Sequence, residues 1–250
     1  READPSRPVF VTFTARFLKK FTRFSEEQRL TLYPAWIKAA DVVGFDVYPL
    51  YGWGRTDMIA DVAVGTEELV RLAGPGKPVY AWIETCKGGQ HVAYDKQPDV
   101  LPRHTRAEVW MAIIRGAKGI GYFTHAWKPS FTEFAPTEEM RTELKRLNAQ
   151  LARLAPAILA VPWNEKADVE FEGGLAGHIK ATVHDGELWL FVQNVNVPDR
   201  AGTAEVKVPG LPAGTLVTVV NEDREITARD GAFRDDFAAL REHVYRLRLP

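Results

Sequence analysis

The chain has 250 residues, of which 46% are hydrophobic, 11% aromatic and 26% charged, the composition of an ordinary globular protein. Its 32 basic and 33 acidic residues leave a net charge of −1, so there is no electrostatic reason to expect nucleic acid or an anionic membrane as a partner. No apolar run is long enough to span a bilayer, and the single cysteine, Cys86, excludes an internal disulfide.

The opening, Arg1-Glu2-Ala3-Asp4-Pro5, is charged and turn-prone. It lacks signal-peptide character and reads as the interior of a longer protein. Val9 to Phe13 is a short apolar run that predicts a buried strand. Ser25, followed by Glu26 and Glu27, predicts a helix start, with the helix running to about Ala40 and a break near Pro34. Val42 to Val47 predicts a second buried strand. An aromatic and glycine-rich loop follows, Leu50-Tyr51-Gly52-Trp53-Gly54, and then a helix from about Thr56 to Ala73.

Pro78 to Ile83 predicts a third strand, ending at Glu84. After a long polar loop, a helix is expected from Thr105 to Gly116, with Thr105 as its N-cap and Glu108 in its first turn. Gly119 to Thr124 predicts a fourth strand, running into His125-Ala126-Trp127. Leu144, Leu147, Leu151 and Leu154 mark one face of a long helix that starts at Thr137.

Beyond Pro162 the pattern changes to short alternating strands: 179–183 and 188–192 around an Asp185-Gly186 hairpin, then 204–208, 216–220 and 243–249. Four strand–helix repeats imply a parallel sheet covered on both faces. The expected fold class is therefore α/β over residues 1–162, followed by an all-β antiparallel sandwich over 163–250.

In parallel α/β folds the chemistry gathers at the carboxyl ends of the strands. Thr14 and Arg16 stand at the first such end. Asp46 and Tyr48, two residues apart, share a face of the second. Tyr80, Trp82 and Glu84 share a face of the third, and Phe123, His125 and Trp127 follow on the fourth. Aromatic rings beside carboxylates suit a sugar, because rings stack on pyranose faces while carboxylates bind hydroxyls or cleave bonds.

Several tracts carry a family resemblance. ADVVGFDVYPLYGW (Ala40 to Trp53), KPVYAWIET (Lys77 to Thr85) and RAEVWMAIIRGAKGIGYFTHAW (Arg106 to Trp127) resemble strands six, seven and eight of a (β/α)8 TIM-barrel glycoside hydrolase. The superfamily is the retaining one whose catalytic glutamates lie on strands four and seven. DDFAALREHVYRLRL (Asp235 to Leu249) resembles the last strand of the β-domain that often trails such barrels. The chain would then supply strands five to eight.

The resemblance implies that Glu84 is the nucleophile, that Tyr48 hydrogen-bonds it, that Trp127 stacks under the sugar, and that Asp46 and His125 contact hydroxyls. By their place in the chain, Trp53 and Tyr51 line an outer subsite or else only pack the loop, while Tyr80, Trp82 and Phe123 fill the barrel interior. It also implies a β-linked oligosaccharide or polysaccharide substrate and a secreted or periplasmic location. The strand-four glutamate, the acid/base, has no counterpart here. It would come from an N-terminal half-barrel on a separate chain, or belong to a part absent from this sequence. Half a barrel leaves two sheet edges unpaired, which favours such a partner or self-association.

No cofactor or metal is expected, since neither His91 nor His104 has a ligand-spaced mate. The long loop after Glu84, with Gln90, His91 and His104, reads as a lid. The alternatives are a non-catalytic carbohydrate-binding protein, or a structural piece in which the β-domain mediates contacts and the half-barrel is inert, with Glu84 a loop carboxylate and Tyr48 and His125 satisfied by local hydrogen bonds.

Overall fold

The computed structural model describes Asp4 and residues 6–196 and 200–248. The chain divides into two compact units, Arg1–Arg141 and Thr142–Pro250. The opening residues 1–3 and 5, and the expected strand end at Leu249, lie outside the described residues.

The first unit is a parallel sheet in the order β1 (Phe10–Thr14), β2 (Val42–Asp46), β3 (Val79–Glu84) and β4 (Gly119–Phe123). The strands are in register along their length: Thr14 lies opposite Asp46, Asp46 opposite Trp82, and Glu84 opposite Phe123. Each crossover contains a helix: α1 (Glu26–Lys38), α2 (Asp61–Ala73) and α3 (Pro102–Ile114). A fourth, α4 (Glu138–Ile158), carries the boundary between the units.

Ser25 starts α1 through a capping box: its hydroxyl accepts the Gln28 N–H at 3.1 Å, and the Gln28 side chain accepts the Ser25 N–H at 2.9 Å. The expected break at Pro34 is absent, and the helix continues to Lys38. Tyr33 and Ile37, on either side of the proline, are buried and hold the helix across the missing hydrogen bond. The buried Arg29 guanidinium joins α1 to α2 through Glu26 and Glu68. Gly65 lets α2 approach β2, since a Cβ there would stand 3.3 Å from the Phe45 ring.

The helix expected from Thr105 begins three residues earlier, at Pro102. Proline suits the first helical position, where its missing N–H would have had no partner. Thr105 is therefore inside the helix and is not its cap. Its hydroxyl donates instead to the Glu84 carbonyl at 2.8 Å, tying α3 to the end of β3.

One face of the sheet carries rings lying across glycines. A Cβ on Gly119 would stand 2.2 Å from the Tyr80 ring, and one on Gly121 2.2 Å from the Trp82 ring. Phe10 packs edge-on against both rings, at 5.6 and 6.0 Å. Phe10 remains exposed, and Tyr80 and Trp82 only half-buried.

The second unit holds two antiparallel sheets. One runs β11 (Arg224–Thr227), β10 (Leu216–Val219), β13 (Glu242–Arg248), β8 (Glu187–Asn194), β7 (Gly177–His184) and β5 (Val161–Pro162). The other runs β12 (Ala232–Phe237), β9 (Gly202–Lys207) and β6 (Asp168–Phe171). Leu190, Val217 and Tyr245 from the first share one core with Phe171, Val206 and Phe233 from the second. The hairpin at Asp185-Gly186 forms as expected, with φ of 51° and 75° and His184 opposite Glu187, the left-handed pair that a tight hairpin requires. The stretch from Asp235, read as a single closing strand, is split. Asp235 to Phe237 end β12 in one sheet, and β13 belongs to the other.

Candidate active site

The carboxyl ends of β1 and β2 border a cleft of about 420 Å³, lined by Thr14, Arg16, Asp46, Tyr48, Trp53 and His91 among others. Strand register explains the gathering, since Thr14 and Asp46 are direct cross-strand neighbours. Trp53 is fixed by Phe21, with ring centroids 4.7 Å apart.

Burial lifts the Asp46 carboxyl from its ordinary 3.8 to about 6, in the range of a group that trades protons near neutrality. Burial, reinforced by the charges of Asp46 and Glu84, pushes the Tyr48 phenol upward, so it stays protonated and serves as a donor.

Glu84 occupies a different environment. Its side chain is wholly buried and does not line the cleft. One carboxylate oxygen accepts the Leu50 N–H at 3.0 Å and the other the Tyr51 N–H at 2.6 Å, so the turn after β2 closes over it. The expected Tyr48 hydrogen bond is replaced by these two backbone donors. They support the ionised form against burial, which raises the carboxyl overall.

Against Glu84 stands a residue that sequence reasoning placed only in the first turn of a helix, Glu108. It too is wholly buried, and its carboxyl is raised well above the ordinary range, first by burial and then by the charge of Glu84. The available signal was a lone acid inside the apolar run of Ala107, Val109, Trp110 and Met111. Placing the helix start at Thr105 hid it.

Tyr51, expected at an outer subsite, is buried within the turn, and its hydroxyl donates to the His125 carbonyl at 3.1 Å. Phe123 packs against Tyr48, Tyr51 and His125 at 5.0, 5.2 and 4.1 Å. Trp127 is 43% exposed and forms a platform with Phe131, 5.3 Å away, and with His125. The loop after β3 is knitted by Gln97, whose amide donates to the Gly89 and Val92 carbonyls and accepts the Gly88 and Gly89 N–H groups. It places His91 on the cleft, while His104 is buried in the first turn of α3. Cys86 is buried and its thiol is pushed up to about 11, which keeps it protonated and weakly nucleophilic at neutral pH.

A larger groove, about 1280 Å³, lies in the second unit. Its Lys207 and Arg234 are already paired with Glu170 at 2.7 Å and Glu172 at 3.0 Å, leaving the cleft of the first unit as the better site for chemistry. Among the described residues, no group of three or more His, Cys, Asp or Glu side chains could hold a metal ion.

No family model matches the sequence, and no curated protein matches it. Among solved structures, the chain is similar to an Anoxybacillus α-amylase at 10% identity and a TM-score of 0.47, over 93% of this chain and 57% of that one. It is similar to a GH30 endoxylanase from Clostridium papyrosolvens C71 at 12% identity and a TM-score of 0.45, over 93% and 54%. It is also similar to a Thermotoga maritima α-fucosidase in complex with fucose at 11% identity and a TM-score of 0.42, over 90% and 60%. The chain thus spans little more than half the length of each.

Proposed function

We propose that this chain is the carboxyl-terminal part of a retaining glycoside hydrolase, a half-barrel followed by a β-sandwich, acting on a neutral β-linked carbohydrate. The observation that carries the reading is the cleft itself. A carboxyl group with a pKa of about 6, a phenol donor, an indole and an imidazole converge at one end of a parallel sheet. That is the mixture of hydrogen-bonding and stacking groups a sugar ring needs.

In this reading Glu84 is the nucleophile, and the two backbone N–H groups hold it in the ionised state that attack requires. The Leu50–Tyr51 turn must lift to admit the anomeric carbon. The acid/base comes from an N-terminal half-barrel that pairs with the free edges of β1 and β4, or from self-association. Asp46, His125, Trp53 and Trp127 bind the substrate, and Tyr51 helps to form the turn that moves.

The complete burial of Glu84 favours a second reading, a non-catalytic carbohydrate-binding protein. Kinetics on the complete protein separate the two. Glu84→Gln should lower kcat by about 10³-fold or more and spare sugar binding, whereas Asp46→Asn should chiefly raise KM. If Glu84→Gln keeps most of its activity and Asp46→Asn loses it, the reacting carboxylate is Asp46. Binding without turnover in the unaltered protein would establish the second reading.

A further inference from the structure

One carboxyl group in the first unit has no part in the cleft. Glu108 is fully buried on α3; its oxygens make no hydrogen bond of ordinary geometry, and the nearby Glu84 backbone N–H offsets only part of the effect of burial. The hydroxyl of Thr105 reaches the Glu84 carbonyl at 2.8 Å, and residues three apart share a helix face, so α3 presents Glu108 to Glu84. A buried carboxylate with so little donor support is too costly to persist and takes up a proton instead. Glu84 is the opposite case, with two N–H donors already on its oxygens. Two ionised carboxylates in contact would repel, and neither could donate to the other. One proton resolves both problems.

We propose that Glu84 and Glu108 hold a single proton between them, carried by Glu108 and donated to Glu84, which makes Glu108 the positioning residue that keeps Glu84 ionised beneath the Leu50–Tyr51 turn. Tyr48, Tyr51 and Cys86 face the pair from the neighbouring segments; burial raises all three, so none supplies a competing charge. On its own helix the nearby titratable groups are His104 and Arg106. The consequence for catalysis rests on the assignment of Glu84 as nucleophile, whereas the shared proton does not.

The sign of the pH effect follows from the proton. Folding takes up a proton at Glu108, so stability falls as pH climbs from the ordinary carboxyl value of 4.5 through the higher folded one. Glu108→Gln retains a donor for Glu84 but has nothing to titrate. Its melting temperature relative to the unaltered protein should therefore rise with pH across that range. The infrared difference spectrum, unaltered protein minus Glu108→Gln at pH 7, should show a protonated-carboxyl C=O stretch that shifts in D₂O. In kinetics, Glu108→Leu should lower kcat about tenfold with KM little changed, and Glu108→Gln should restore most of the loss. A pH-independent melting difference with no carboxyl stretch overturns the proposal, and equal losses in the two variants overturn the positioning role. If the unaltered protein has no turnover, the glycosidase reading fails while the melting and infrared results still decide whether the proton is shared.

Discussion

At the scale of single residues, strand geometry and burial together set the chemistry of the cleft. Period-two alternation put Asp46 and Tyr48 on one face of a strand end, and the structure places both on the cleft. The same alternation put Glu84 with Tyr80 and Trp82, yet it could not show that a turn 33 residues earlier in the chain would close over the carboxylate. Backbone N–H donors leave no mark in side-chain pattern, so the resemblance offered Tyr48 for the role taken by Leu50 and Tyr51. The raised carboxyl of Asp46 leads to a further prediction. Its folded value of about 6 lies above the ordinary 3.8, so its ionisation on raising the pH from about 4 to about 6 costs stability. Asp46→Asn should melt higher than the unaltered protein above pH 6, with the gap closing as pH falls to 4. A gap that stays constant with pH would place the raised carboxyl elsewhere.

At the scale of elements, apolar runs predicted all four parallel strands, although β1 and β4 are not the buried strands expected, and the Asp-Gly pair predicted the hairpin at Asp185-Gly186. Boundaries failed where local chemistry had two readings. Thr105 is a good N-cap residue, but Pro102 is a better first helical residue, and the shift of three positions moves Glu108 out of the first turn into the buried body of the helix. The short strands β6 and β11 and the start of β12 were missed because they are rich in polar residues, such as Glu170 and Arg224, which find ion-pair partners in Lys207 and Asp235. The glycines that seat the aromatic rings were legible only as strand residues. Gly121→Val should therefore destabilise the first unit by about 1–3 kcal/mol through collision with the Trp82 ring, measured by denaturant unfolding. An unchanged midpoint would mean that the Trp82 ring can leave the sheet at no cost.

At the scale of the whole molecule, the sequence showed an α/β part followed by a β part, and the structure has a parallel sheet in one unit and two antiparallel sheets in the other. Among the described residues the first sheet ends in β1 and β4, and it exposes Phe10 beside Tyr80 and Trp82. Such a surface is expected to be covered, and the proposed occupant is the half-barrel that brings the acid/base. The 250 residues expressed alone should then sediment as a species larger than 28.0 kDa or aggregate, while a well-behaved monomer of that mass would remove the need for a partner.

The central claim, that Glu84 attacks a sugar, is open to direct test by trapping. The complete protein is treated with a panel of activated 2-deoxy-2-fluoro-glycosides, and its peptides are mapped by mass spectrometry. A single covalent glycosyl adduct on Glu84 is the expected result. An adduct on Asp46, or turnover of ordinary glycosides with no adduct on Glu84, would contradict it.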